Sequence, residues 1–498
     1  MSELLRGGRL AGSRRDIIEF TSSIKSDVKL LRHVVNINRA HVIMLMENKI
    51  IRFEEGSEIL RALMGLEERL TPRPGIEDVH MLVEEEVIGS VGMDVGGNLN
   101  LAKSRNDQVA AAIRMALREE LLEIMELTAN LQKALIEVAE KNINAIFPGY
   151  THLQPAQPTT LAHYLLAQFD ILGRNLERLI GAYRRVNLCP MGAGALATTS
   201  FPISRERVAE LLGFDGLIEN SLDAVSSRDF LLEVLAALSV MAVDLSRLAE
   251  DLILWSSMEF NLLEIPDEFA STSSIMPQKK NPEVLEVVRA RMGLIIGDFM
   301  AASAILKGLP STYNLDFQEA TPKLWDACKI MRESLSMLSE LIGSIRVREE
   351  AFRKPYLSFL TATELANTLV RNHNIPFRLA HKVVGALVKA LMEEGKNLYD
   401  ATPEKLAEIS RKILGSPIHV NAEELRRAID PACFIESHSV RGGPSKREVE
   451  RMISARRAVL NQYRGSIEAL RRSVEKSISA LNAIAESYTA QAFCHHKV

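Results

Sequence analysis

Cysteine is scarce and scattered. Cys189, Cys328, Cys433 and Cys494 are the only four in 498 residues, and no two of them form a CxxC pair. Such spacing provides neither a disulfide framework nor a zinc ligand set, and a reducing, cytoplasmic setting suits it. Long hydrophobic runs are missing too: nowhere are there roughly eighteen consecutive apolar residues, so no membrane-spanning helix is expected. Arg6, Arg9, Arg14 and Arg15 crowd the N-terminus, but no signal-peptide apolar core follows them, and the chain reads as soluble and unexported. A surplus of either charge is absent as well. A net charge of -4 and a pI near 6.3 leave no basic field for nucleic acid or a membrane surface. Aromatic residues amount to 5%, and Asn-Gly or Asp-Gly turns between alternating runs are few, which disfavours a chain built on strands.

What is present points to an all-α protein. Hydrophobic residues make up 47% of a chain long enough for two or three domains. Residues 1–105 read as an N-terminal unit of shorter helices, interrupted by Pro72, Pro74, Gly75, Gly96 and Gly97. Residues 98–147 then contain no glycine or proline, and Val109, Ile113, Leu117, Leu121, Ile124, Leu131, Leu135 and Val138 recur at helical spacing. Residues 217–265 are equally free of breakers, with an apolar run from Phe230 to Leu254. Together with helices expected near 107–145, 159–187, 282–308 and 323–346, this run makes a central bundle of about five long helices over 106–350. Helices this apolar usually find partners in other subunits. Residues 351–498 form a smaller C-terminal helical unit. The terminal Cys494, His495 and His496 are read as a mobile tail rather than a metal site.

The most informative stretch is STSSIMPQKKNPEVLE, Ser271 to Glu286. Asn281 suits a helix N-cap, Pro282 the first helical position and Glu283 the first turn. A hydroxyl-rich loop with Lys279 and Lys280 beside a helix start can hold an anionic substrate, because backbone amides and ammonium groups both stabilise negative charge. Three further stretches carry polar side chains in special places. Ser22, Ser23 and Asp27 precede an apolar run, where serine caps a helix or binds a ligand equally well. SRNDQV, Ser104 to Val109, opens the first long helix; Ser104 or Asn106 can cap it, and Arg105 with Asn106 can hold a carboxylate. GYTHLQPAQPTT, from Gly149, is a proline-rich connection containing Thr151, His152 and Gln154, and an imidazole is suited to proton transfer near neutral pH. The glycine-rich segment after Cys189 offers a possible anion nest but no phosphate-loop motif.

SSIMPQKKNP resembles the signature of the fumarase/aspartase superfamily, and its PQKK form is most similar to the argininosuccinate lyase family. FxxSIxxD (Phe20, Ser23, Ile24, Asp27), SRNDQ and GYTHLQ resemble further family motifs in the same order, and YLSFLTATELANTLVR from Tyr356 resembles the family's C-terminal domain. The resemblance runs from Phe20 to about Gly443. It implies a three-domain fold and a homotetramer in which each active site draws on three chains. The implied reaction is reversible β-elimination of argininosuccinate to arginine and fumarate, within arginine biosynthesis, with no metal or organic cofactor.

The resemblance also implies roles. Ser273 is the base, Lys279 and Asn281 stabilise the dianion formed when the proton leaves, His152 delivers a proton to the departing group, and Glu286 charges His152. Ser23, Ser104, Arg105, Asn106, Thr151 and Gln154 bind substrate, and Tyr313 with Gln318 holds its arginine part. The chain departs from the family pattern at Asn100 and Leu101, where a His-Thr pair is usual, at Lys103 in place of arginine, and at Thr321 in place of a lysine that Lys323 could replace. Adenylosuccinate lyase, aspartase and fumarase share the chemistry, but Gln278-Lys279-Lys280 and YNLDFQE argue against them. A non-catalytic scaffold is the other class of reading; the joint presence of Ser273, His152, Lys279 and Glu286 argues against it.

Overall fold

The computed structural model describes residues 14–73, 75–348 and 354–495; Arg6, Arg9, Pro74, His496 and the side chains of Tyr356, Cys494 and His495 lie outside them. The protein is 72% helical and 5% strand, as expected of an all-α chain. Among the described residues no helix is long and apolar enough to cross a membrane.

After short helical turns at Arg15–Thr21 and Ile24–Asp27 come helices α1 (Leu31–Glu47), α2 (Phe53–Leu63) and α3 (Val79–Val91). Five long helices follow: α4 (Arg105–Lys141), α5 (Leu161–Val186), α6 (Asp229–Ser256), α7 (Glu283–Leu306) and α8 (Phe317–Ser344). Each packs against the next and α8 returns to α4, closing a ring. The start of α4 is set by a reciprocal cap, in which Ser104 Oγ accepts from the Asn106 amide at 3.3 Å and Asp107 Oδ1 accepts from the Ser104 amide at 3.1 Å.

Two helix starts differ from expectation. The last helix of the ring begins at Phe317, ahead of the expected 323, with Pro322 inside its early turns. Proline there lacks the amide that would donate to the carbonyl four residues back, and the Thr321 hydroxyl donates to the adjacent Phe317 carbonyl at 2.9 Å. Asn281 does not cap α7. Pro282 occupies the N-cap position with no side-chain cap bond, and Asn281 is drawn into a short strand by hairpin pairing.

Two hairpins interrupt the helices. Strands β1 (Ile146–Thr151) and β2 (Gln154–Thr160) pair antiparallel between α4 and α5, and β3 (Ser271–Thr272) pairs with β4 (Lys280–Asn281) just before α7. The first hairpin occupies the stretch that reads as a mere connection, since Pro148, Pro155 and Pro158 all fall within its strands.

The segment beyond 351 divides between two cores. Helices α9 (Ala362–His373), α10 (Phe377–Glu393), α11 (Pro403–Leu414) and α12 (Ala422–Ile429) enclose their own apolar core, confined to residues 365–429. The 50-residue α13 (Lys446–His495) instead returns along α4, α2 and α1 and buries Ile453, Leu460, Ile467 and Leu481 in the main core. Ion pairs of Arg456 with Asp170, Arg457 with Glu140 and Arg471 with Glu126 fasten it there. Large apolar side chains face outward on α6 and α7, among them Val240, Val243, Val287, Leu294 and Met300.

Candidate active site

Four residues expected to bind substrate converge. Ser23, Arg105, Tyr313 and Gln318 line a cavity of ≈ 30 Å³ whose wall also includes Asp27, Asp78, His80, Arg228 and Thr321. Its floor is the start of α4, and its sides are the Ser23 turn, the start of α3 and the loop into α8. The Ser23 amide donates to the Glu77 carbonyl at 3.0 Å, and the Ser23 hydroxyl donates to the Asp27 carboxylate. Burial lifts the Asp27 carboxyl to about 6, against the lowering effect of that bond. Arg105 forms an ion pair with Asp78 across 3.0 Å, and Asp78 in turn caps α3. Gln318 Nε2 donates to the Tyr313 hydroxyl at 3.4 Å, and the Tyr313 ring meets Phe317 edge-on at 5.6 Å.

Arg228 is the cation that sequence reading did not single out. It is 4% exposed, its guanidinium lies 4.3 Å over the Phe317 ring, and one nitrogen donates to the Ser227 carbonyl at 2.7 Å. Nε and Nη2 have no partner within the fold. Burial pulls its pKa down to about 10, so it remains charged at neutral pH. Asp78 and His80 were missed as well; an acid-to-apolar helix start in EDVH, and an arginine directly before a long apolar run, are the signals that could have found them. Lys323 does not take the place of the usual lysine. It faces Asp298 at 4.0 Å and is not part of the cavity wall, while Thr321 is buried.

Asn106 and the departures from the family pattern at Asn100, Leu101 and Lys103 make bonds within the fold. Asn106 Nδ2 donates to the Ala195 carbonyl at 3.2 Å, and the Gly194 amide donates to Asp107 at 2.9 Å, so the anion held by the glycine-rich segment is an internal carboxylate. Burial raises the Asp107 carboxyl to about 6 although two amides donate to it. Lys103 donates to Asn38, the Leu101 carbonyl pairs with His41 at 2.7 Å, and Asn100 accepts from Gln108 at 3.1 Å.

Thr151, His152 and Gln154 sit at the exposed tip of the first hairpin. His152 and Leu153 have φ of 54° and 55°, both left-handed, as a two-residue turn of the favoured twist requires. Residues other than glycine, asparagine or aspartate rarely adopt this conformation, and it holds the imidazole out from the body.

Ser273 lies in the turn of the second hairpin. Its hydroxyl accepts from the amides of Ile275 at 3.3 Å and Met276 at 3.2 Å. Lys279 Nζ donates to Asn281 Oδ1 at 2.5 Å, which sets the ammonium beside the amide at the helix start. Glu286 is exposed in the first turn of α7. Within one chain the structure thus forms three separate groups, and no hydrogen bond among the described residues joins His152 or Ser273 to the Ser23 cavity. The neighbouring tip residues Leu153 and Ile275 are 66% and 83% exposed, as side chains awaiting cover would be.

Comparison with known proteins agrees with this geometry. The lyase family model matches residues 59–297, and the model of the argininosuccinate lyase C-terminal region matches 359–436. Argininosuccinate lyase of Methanosarcina mazei is 42% identical over 495 residues, covering 98% of this chain and 99% of that protein. The enzyme of the same name from Methanothrix thermoacetophila is 44% identical over 483 residues, 96% of this chain and 98% of that one. Among solved structures, EDDS lyase in complex with formate superposes with a TM-score of 0.87 at 30% identity, over 93% of each chain. A class II fumarase from Schistosoma mansoni, at 17% identity and a TM-score of 0.67 over 81% of this chain and 90% of that one, shares the fold. With the motifs, the ring of long helices and near full-length identity in agreement, the chain belongs to the argininosuccinate lyase family of the fumarase/aspartase superfamily.

Proposed function

We propose that this protein is a carbon–nitrogen lyase that cleaves argininosuccinate to L-arginine and fumarate, reversibly, late in arginine biosynthesis. The observation that carries this reading is the cavity where Ser23, Arg105, Tyr313 and Gln318 meet, whose wall holds the carboxylates of Asp27 and Asp78 together with the guanidinium groups of Arg105 and Arg228. A wall bearing both charges complements the arginine part of the substrate, which carries an ammonium, a carboxylate and a guanidinium.

Elimination begins with loss of a proton from the carbon next to a succinyl carboxylate. The electrons move onto that carboxylate as a dianion, and the carbon–nitrogen bond then breaks. Ser273 takes the proton. A free hydroxyl is a feeble base, and the two loop amides that already point at its oxygen stabilise the alkoxide. Lys279 and Asn281 stabilise the dianion as fixed donors. His152, charged and oriented by Glu286, supports protonation of the departing nitrogen. Ser104, Asn106, Thr151 and Gln154 complete the carboxylate contacts.

The protein works as a cytoplasmic homotetramer, and each site combines the cavity of one chain with the hairpin tips of others. The outward apolar faces of α6 and α7 and the exposed tips support this assembly. Offered argininosuccinate, adenylosuccinate, aspartate and malate separately, the purified protein should release fumarate, followed by its ultraviolet absorbance, efficiently only from the first. Preference for adenylosuccinate would overturn the assignment.

A further inference from the structure

One histidine in the cavity wall has no place in the reaction described above. His80 is 6% exposed at the start of α3. Its Nδ1 faces Gln108 Oε1 at 3.2 Å, and the same glutamine amide donates through Nε2 to Asn100 Oδ1 at 3.1 Å. Asn100 therefore decides which way the amide points. With the amide oxygen turned toward the ring, Nδ1 must carry the proton, and a neutral imidazole then bears a lone pair on Nε2. That Nε2 has no partner within the fold, although a buried acceptor without one is costly.

The charge state fits an acceptor. Burial lowers the His80 pKa to about 4; Asp78 opposes the shift, while Arg105 and Lys103 reinforce it, so the ring is neutral near pH 7. Of the carboxylates nearby, Asp27 is engaged by the Ser23 hydroxyl and Asp78 by Arg105 and the Met81 amide.

We propose that Asn100, acting through Gln108, presents the Nε2 lone pair of His80 to the cavity, where it receives an N–H of the arginine part of the substrate. This rests on the lyase reading and deepens it. Arg105 and Arg228 suit a carboxylate, and His80 supplies the uncharged acceptor that an N–H donor needs. His80 is the contact, and Asn100 and Gln108 are positioning residues. In this chain the polar group in place of the usual histidine at position 100 therefore acts as a tautomer setter.

The test is calorimetric binding of L-arginine and, separately, of fumarate to the assembled enzyme and to Asn100→Leu and Asn100→Asp. A carboxylate can only accept, so Asn100→Asp keeps the glutamine in place and should bind arginine within about threefold of wild type. Asn100→Leu frees the amide to turn its N–H toward Nδ1, which drives the ring proton to Nε2. Arginine should then bind roughly tenfold more weakly, the equivalent of about 1.4 kcal/mol, with fumarate unchanged. Unaltered arginine binding in Asn100→Leu overturns the proposal, as does equal weakening of arginine and fumarate, which would mark a purely structural role. Weakened arginine binding in both variants also overturns it. Wild-type enzyme that releases no fumarate from argininosuccinate would instead remove the lyase reading and this inference with it.

Discussion

Arg105 Nη1 lies 3.0 Å from Asp78 Oδ2 in an ion pair, and the other oxygen of the same carboxylate accepts from the Met81 amide at 2.8 Å. A single buried carboxylate thus starts α3 and aims the guanidinium that opens α4. Removing it has two separable effects. Asp78→Ala loses the cap and leaves a guanidinium without its partner, and should lower stability by about 3 kcal/mol in urea titration. Asp78→Asn keeps an acceptor for the cap but not the charge. It should unfold close to wild type while fumarate release from argininosuccinate falls at least tenfold, a loss of about 1.4 kcal/mol of transition-state stabilisation. Wild-type turnover in Asp78→Asn would show that Arg105 does not depend on its partner for function.

Ser273→Ala should abolish turnover and preserve binding. Loss of one oxyanion-type donor costs roughly a hundredfold in rate, so a much larger drop points to proton transfer. Lys279→Met should weaken both turnover and substrate binding. Calorimetry on the alanine variant measures the first claim, and hydrogen exchange at the substrate carbon during turnover measures the chemistry. An alanine variant retaining more than about a tenth of wild-type rate would move the base elsewhere.

Sites shared between chains make a distinctive demand. Inactive Ser273→Ala protein mixed with inactive His152→Asn protein should regain activity once subunits exchange, because some sites then draw both intact residues from different chains. Mass spectrometry establishes the exchange. Exchange without recovery, or a monomer in light scattering, would contradict the shared site.

His41 offers a pH test of the core. It is buried and pairs with the Leu101 carbonyl, and burial, aided by Lys103, lowers its pKa to about 3. The folded value lies below the unfolded value of about 6.5, so the unfolded chain binds the proton more readily. This contribution to stability is whole above pH 6.5 and is lost as pH falls below it. His41→Gln should be less stable than wild type at pH 7. Its deficit should shrink by roughly 1.4 kcal/mol per pH unit between 6 and 4, as read from urea titrations. A constant deficit would mean that His41 is protonated in the fold.

The long helices of the ring were legible because their breaker-free, regularly apolar runs leave a chain few alternatives. Motif resemblance supplied the residues expected to bind substrate, and the structure gathers four of them, Ser23, Arg105, Tyr313 and Gln318, around one cavity. The first hairpin was hidden by its chemistry. Pro148, Pro155 and Pro158 read as loop residues, and its turn consists of His152 and Leu153 with no glycine to announce it. Asn281 was misread as a cap because local propensity favours that role, whereas pairing with Ser271 draws it into a strand. Arg228 and His80 were missed because their local signals, an arginine ahead of a long apolar run and the acid-to-apolar helix start in EDVH, do not by themselves separate a buried side chain from a solvated one. The long last helix did carry a signal, a seven-residue repeat through Ile453, Leu460, Ile467, Val474 and Leu481, which marks a seam along a straight partner.

That last helix spans about 75 Å at the usual rise and belongs to the body that residues 31–344 otherwise form. During synthesis the body must therefore wait for residues 446–495. The groove along α1, α2 and α4 stays open while residues 365–429 collapse around their own core, and closes only when Lys446–His495 has left the ribosome. Termination between α12 and α13 would release a chain that retains every motif of the active site yet exposes the apolar seam that Lys446–His495 covers.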